Sequence, residues 1–343
     1  MDETQNRPTT VIVGGGQAGI EAAFALRQNG YEGRVLVFGD EEELPYRRPP
    51  LSKAYLDGSM ARESLTIRKP AMLEKANIEC KTGLRVTAID RQVRKVTLSD
   101  EATIGYDDLI LATGARVRRL GEPADAAANV HYIRTLADID RLKPSFEAGK
   151  RLLVVGGGFI GLEAAASATK AGLDVTVVEM GDRLLQRVVD APMSAYFEQA
   201  HLRRGVQVLT GTGIDEWQGG GQVQSVTLTN GKCLQVDVVV VGIGVIPETE
   251  LADAAGLTVD NGIVADAYSR TNDPHIYAVG DCANHANRFL GHAARLESVP
   301  AAQEQARTAA RSICGQDEPH EAVPWFWSDQ FDLKLQMAGL LGA

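Results

Sequence analysis

The run Thr10-Val11-Ile12-Val13 reads as a buried strand, and after the turn Gly14-Gly15-Gly16-Gln17-Ala18-Gly19 the positions Ala18, Ala22, Ala23 and Leu26 recur at helical spacing up to Asn29-Gly30. A second apolar strand follows at Arg34-Val35-Leu36-Val37-Phe38, and then Gly39-Asp40-Glu41. The same order returns later in the chain. Leu152 to Val155 predicts a strand, Gly156 to Gly161 a turn, a small-residue helix continues to Gly172, and the strand Val175 to Val178 ends at Glu179.

Three more apolar runs punctuate these repeats. Tyr106 to Ala115 predicts a strand that ends in Ala112-Thr113-Gly114, and Val236 to Pro247, although broken by Gly242 and Gly244, reads as a buried strand. Asn272 to Asp281 predicts a third, with Gly280 and Asp281 at its tip. Gly219-Gly220-Gly221 suits a hairpin turn better than a linker.

Each repeat carries Gly-x-Gly-x-x-Gly between a strand and a helix. The first glycine makes the turn, the second lets a pyrophosphate approach the backbone, and the third lets helix and strand pack closely, while the helix N-terminus offers N–H donors. Two copies in this context point to dinucleotide binding by Gly14, Gly16, Gly19 and by Gly156, Gly158, Gly161, with a purely structural pair of βαβ turns as the alternative. The fold class that follows is α/β with two Rossmann-like domains. Glu179 directly follows its strand, where a carboxylate accepts bonds from ribose hydroxyls and repels a 2′-phosphate, so the second site should prefer NADH to NADPH. In the first copy Gly39 holds that place and Asp40 comes one step later.

Composition narrows the function. The 343 residues carry 45 acidic and 35 basic side chains, a net charge of −10, which argues against nucleic acid as a partner. The start, MDETQNRPTT, lacks the cationic and apolar run of a signal peptide, and no apolar stretch is long enough to span a membrane. Cys80, Cys233, Cys282 and Cys314 have no C-x-x-C or metal-ligand spacing, and the six histidines are dispersed, so no protein-bound metal and a reducing, cytoplasmic setting are expected. Cys282, beside Asp281, fits a small packed hydrophobe better than a redox thiol.

The order GxGxxG, PPLSK, ATG, GxGxxG, GxGxxP and GD resembles the two-dinucleotide flavoprotein reductases. More narrowly, Leu44 to Lys53 (LPYRRPPLSK), Glu297-Ser-Val-Pro-Ala301 and Trp325-Phe-Trp-Ser-Asp-Gln330 are similar to the ferredoxin reductases of bacterial oxygenase systems, the putidaredoxin and rubredoxin reductase branch. The resemblance covers essentially the whole chain. It implies a glutathione-reductase-like arrangement, with an FAD-binding domain over 1–114 and 247–319 and an NADH-binding domain over 115–246. Residues 320–343 would then begin a C-terminal α/β interface domain, leaving Phe331, Leu333, Leu335 and Met337 at an open edge.

Carried over by residue, the resemblance implies that Ala18 and Asp40 meet the FAD pyrophosphate and ribose, and that Val86 lies at the adenine end. Arg134, Asp281 and Val299 match further FAD contacts. Lys53 would lie by the reactive edge of the flavin, with Glu163 pairing with it and facing the nicotinamide, and Trp327 beside the flavin toward the acceptor. Lys53 could instead be a surface lysine opening an amphipathic helix. Trp325 and Trp327 also suit core packing, in which alternation along a strand would bury one of them. The implied activity is that of an FAD-dependent NADH:ferredoxin reductase, delivering electrons singly to a [2Fe-2S] ferredoxin that serves a haem-thiolate monooxygenase or aromatic-ring dioxygenase. A rubredoxin reductase, an NADH oxidase or an NADH-responsive interaction protein of the apoptosis-inducing-factor type are the competing readings. An acidic ferredoxin would find basic groups at Arg307 and Arg311 or at Arg116, Arg118 and Arg119, each of which also suits a solvated charged face.

Overall fold

The computed structural model describes residues 7–340; the polar start before Arg7 and the last three residues lie outside them. The chain forms two compact units. One comprises Met1–Arg47, Thr66–Ala115 and Pro247–Phe326, the other Arg48–Leu65, Arg116–Ile246 and Trp327–Ala343.

The first unit is built on a five-stranded parallel sheet in the order Ile276–Ala278, Asp108–Leu111, Thr9–Val13, Arg34–Phe38, Ile78–Lys81. Parallel strands buried on both faces need apolar side chains at nearly every position, which is why Val11, Ile12, Val35 to Val37 and Leu109 to Leu111 run without alternation. The helix Gln17–Gln28 follows the central strand and ends at Asn29, with Gly30 at φ +81° closing it. Against it lies the helix Val299–Ile313, whose Ala302, Ala306, Ala309 and Ala310 meet Ala18, Ala22 and Ala25 in one core. Between the third and fourth strands in sequence sits a three-stranded antiparallel sheet, Val86–Asp90, Lys95–Leu98 and Thr103–Gly105.

The second unit repeats this plan. Its parallel sheet runs Gln207–Leu209, Asp174–Val178, Arg151–Val155, Val238–Val241, Val130–Tyr132. The helix Phe159–Lys170 follows the central strand, and Ile214–Gly219, Val223–Leu228 and Cys233–Gln235 form the antiparallel sheet in the matching place. Gly219 to Gly221 make the hairpin turn there, as their sequence suggests. In both units the strand order reverses direction beside the central strand, and ligands of such sheets bind at that switch point, off the carboxyl ends of the strands.

Two expectations change and one alternative falls. The apolar run from Val236 to Pro247 is not one strand: it breaks into Val238–Val241 and Val245–Pro247, because Gly242 donates its N–H to Val155 O and Gly244 turns at φ +102°. Lys53 opens no amphipathic helix; it caps the short 3₁₀ turn Pro49–Ser52, and the whole segment Arg48–Leu65 belongs with the second unit. On the closing hairpin, Trp325–Gln330 and Leu333–Ala338, Leu335 is buried and Phe331, Leu333 and Met337 are half-buried rather than exposed.

Candidate functional site

The division of labour among the glycines is visible in space. A Cβ on Gly14 would lie 2.1 Å from the carbonyl oxygen of Ala112, and Gly14 sits at φ +119°. A Cβ on Gly19 would lie 2.0 Å from Gly14 O, so helix and turn touch backbone to backbone. Gly16 has nothing within 4 Å of that position. The second turn agrees: Gly156 (φ +106°) is blocked by Gly242 O, Gly161 by Gly156 O, and the nearest atom before Gly158 is Gly242 O at 3.9 Å. In each turn the middle glycine of the motif faces open space at a helix N-terminus, the cradle a pyrophosphate requires.

The two turns also share their backbone frame. Gly14 N–H donates to Phe38 O and Gly156 N–H to Val178 O, both at 2.8 Å, and Gly39 and Glu179 donate to Lys81 O and Leu209 O, both at 2.9 Å. They differ in the acidic residue. The Glu179 carboxylate accepts N–H bonds from Gly157 at 2.6 Å and Gly181 at 2.7 Å, whereas Asp40 points to solvent and pairs with Arg85 at 2.8 Å. Arg183 turns its guanidinium onto the backbone oxygens of Gln186, Val189 and Asp190. It is therefore spent within its own loop.

Around the first turn the structure gathers several of the expected residues. Ala18 meets the Gly280-Asp281 turn, since a Cβ on Gly280 would lie 2.9 Å from Ala18 Cβ. Val299 is the first residue of the helix Val299–Ile313, capped by Ser298 accepting from Ala301 N–H, and Ala302 of that helix also borders Gly280. Val86 is buried at the start of its strand, next to Arg85 and so to Asp40. Gln305, which the sequence did not single out, is fully buried and accepts the Gly280 N–H at 2.8 Å. Cys282 is also fully buried; burial pushes the pKa of its thiol up, and its Sγ lies 3.5 Å from Leu111 O and 3.3 Å from Val279 O. That is the packing role expected of it.

Lys53, Glu163, Arg134 and Trp327 belong to the second unit. Glu163, on the helix Phe159–Lys170, is 2% exposed and fully engaged. Its Oε2 accepts from Lys53 Nζ and from Ser52 Oγ, both at 2.6 Å, and its Oε1 accepts from Ser328 Oγ at 2.7 Å. Lys53 Nζ also donates to Pro49 O at 3.2 Å, and Ser167 Oγ donates to Ser52 O at 2.9 Å. A buried carboxylate with three donors, one of them charged, is a stiff arrangement. Arg48 donates to the backbone oxygen of Arg134 at 2.7 Å, which ties Arg134 to the PPLSK segment.

The tryptophans do not behave as strand alternation was expected to make them. Trp325 and Trp327 lie two residues apart, so they share one face; neither is buried, while Ser328 and Gln330 fill the opposite, buried face. Ser52 and Ser328 sat inside the motifs PPLSK and WSDQ, but nothing in sequence spacing says that both reach Glu163. Arg307 pairs with Glu21 at 2.7 Å and Glu304 at 2.6 Å, and Arg311 lies 3.4 Å from Glu318. Among the described residues no helix is long and apolar enough to cross a membrane, and no three His, Cys, Asp or Glu side chains gather to hold a metal.

Residues 8–306 match the pyridine nucleotide-disulphide oxidoreductase family, and residues 325–343 match the reductase C-terminal family. The chain belongs to the pyridine nucleotide-disulphide oxidoreductases. It is 47% identical to rhodocoxin reductase of Rhodococcus erythropolis over 96% of this chain and 78% of that one. It is 46% identical to putidaredoxin reductase of Pseudomonas putida, over 96% and 80% respectively. Among solved structures, the covalent putidaredoxin reductase–putidaredoxin complex superposes with a TM-score of 0.94 at 45% identity, covering 98% of this chain and 82% of that one. Within this oxidoreductase family the present chain has no paired redox thiols: its four cysteines are free and scattered.

Proposed function

We propose that this oxidoreductase is an FAD-dependent NADH:ferredoxin reductase, passing electrons from NADH through FAD to a [2Fe-2S] ferredoxin that serves a haem-thiolate monooxygenase or aromatic-ring dioxygenase. The carrying observation is the pair of open glycine cradles, at Gly16 and Gly158, in a chain with this kinship and without a dithiol. When bound, FAD would supply the redox chemistry, linking the two-electron chemistry of NADH to one-electron delivery.

The protein's part is to bind and orient. The first turn, with Gly14, Gly16, Ala18, Gly19, Asp40, Val86, Asp281 and Val299, holds the FAD, assisted by Arg134 and Lys53. We assign residues 1–114 and 247–319 to FAD and 115–246 to NADH, with 320–343 opening the C-terminal domain. Gly156, Gly158 and Gly161 receive the NADH pyrophosphate, and Glu179 takes the ribose hydroxyls while repelling a 2′-phosphate. Lys53, locked by Glu163, places a fixed positive charge at the flavin edge, a form of electrostatic preorganisation. Trp327, on the face opposite Ser328, lies toward the acceptor. A cytoplasmic location suits the NADH supply and the free thiols.

The test is an anaerobic NADH titration of the FAD-loaded protein, followed by addition of an oxidised [2Fe-2S] ferredoxin. Bleaching of the flavin and catalytic ferredoxin reduction are expected. Bleaching without onward transfer, or faster transfer to rubredoxin or oxygen, would replace the assigned acceptor. Lys53→Met should slow flavin reduction more than it loosens FAD, and a rate unchanged by that substitution would remove the lysine's role.

A further inference from the structure

We propose that Ser328 and Gln330 are positioning residues, which with buried His201 form a one-way hydrogen-bond relay that fixes the Glu163 carboxylate and through it the Lys53 ammonium. The inference rests on the reading of Lys53 and Glu163 as the pair beside the flavin.

The direction of every bond follows from donor arithmetic. A carboxylate only accepts, so the single proton of the Ser328 hydroxyl is committed to Glu163 Oε1, 2.7 Å away. Ser328 Oγ is then left to accept, and it does so from the Gln330 amide nitrogen at 3.2 Å. The other end of that amide, Oε1, faces His201 Nε2 at 2.9 Å, and because an amide oxygen only accepts, the imidazole carries its proton on Nε2. Turning the amide over would set its oxygen against Ser328 Oγ, whose proton is already used. One arrangement therefore satisfies all three links of the chain from His201 to Glu163.

The surroundings keep it there. Glu163 is 2% exposed, and Ser328, Gln330 and His201 are fully buried. Ser328 and Gln330 lie two apart on the strand Trp325–Gln330, so one buried face presents both. His201, on the helix Ala191–Leu202, packs edge-on against the Phe331 ring with centroids 5.0 Å apart. Its Nδ1 has no partner among the described residues, and burial pushes its pKa down, so the ring stays neutral. The charged groups facing the relay are Lys53 at one end and Arg204, paired with Asp332, at the other.

Two measurements on the FAD-loaded protein decide the matter. In ¹⁵N-labelled wild type, imidazole NMR should show His201 protonated at Nε2, with that proton slow to exchange; His201→Gln supplies the assignment. A proton on Nδ1 would overturn the relay. In stopped flow, Ser328→Ala should lower the limiting rate of flavin reduction by NADH about tenfold, with KM for NADH and FAD content little changed, and Ser328→Thr should recover most of it. Gln330→Leu should act in the same direction and release the His201 proton to exchange. Equal slowing by the alanine and threonine variants, or none by either, would reduce Ser328 to packing. Wild-type rates in Lys53→Met and Glu163→Gln would instead defeat the reading of the pair itself, and the relay would then stand or fall on the His201 tautomer.

Discussion

The two glycine turns keep the same backbone bonds and part company after the second strand, where the first has Gly39 and the second Glu179. In the second turn the carboxylate folds back over Gly157 and Gly181 and becomes part of the turn's own structure. The first has an empty place there; a Cβ on Gly39 would find Gly15 no closer than 3.5 Å, and its acid, Asp40, is a half-exposed partner of Arg85. One turn thus carries its acidic residue as a structural element. The other is bordered by parts of the chain distant in sequence, the Gly280-Asp281 turn and the helix Val299–Ile313.

The largest expected effect tests the shared frame. Gly14→Ala and Gly156→Ala each force a Cβ against backbone oxygen at positive φ, and each should cost about 3 kcal/mol or more in urea unfolding. A cost below about 1 kcal/mol at either would show that the turns are not held as rigidly as the geometry says.

A difference of similar size lies in acid sensitivity. In the first unit His285 is buried, with Ser269 Oγ 3.1 Å from its Nε2 and the His320 ring 4.7 Å away. Desolvation first, then His320, push its pKa down to about 4. A depressed histidine favours the native state fully above the unfolded pKa, about 6.5, and loses that contribution as pH falls toward 4, because the unfolded chain takes up the proton first. Stability should fall by up to about 3 kcal/mol over that window, and the fall should shrink in His285→Gln. An identical pH profile for the two proteins would discharge His285 from this role.

Glu179→Ala removes the acceptor of two backbone N–H groups and should cost about 2 kcal/mol, together with a loss of discrimination against NADPH. Asp40→Ala breaks only an exposed pair and should cost less than about 1 kcal/mol. Comparable losses from the two would erase the contrast between the turns. Smallest in stability are Gly16→Ala and Gly158→Ala, which meet open space and should leave unfolding within about 0.5 kcal/mol. Their effect should be selective for ligand: FAD retention for the first, KM for NADH for the second. A shared effect on both cofactors would undo the assignment of one to each turn.

Much of this plan is legible in the sequence because it is local. Strand, glycine turn and helix are consecutive, so periodicity places Thr9–Val13 and Gln17–Gln28 almost to the residue. What escapes is pairing across distance. The resemblance implied the pairing of Glu163 with Lys53, but the two further donors on that carboxylate, Ser52 and Ser328, are brought together only by the folded chain. Gln305 is hidden for the same reason, its partner Gly280 lying on another element. The tryptophans failed on a local rule misapplied, since residues two apart on a strand point the same way.

The strand order of the first sheet has a consequence for the chain as it is made. Its edge strand Ile276–Ala278 and its covering helix Val299–Ile313 are encoded after the whole parallel sheet of the second unit, which is complete at Val241. Emerging from the ribosome, the later-starting unit can close its sheet while the first still exposes the apolar edge of Asp108–Leu111 and the alanine face of Gln17–Gln28. The parallel sheet of the first unit is thus finished after that of the second, and until Ile276–Ala278 has emerged Asp108–Leu111 keeps an open strand edge.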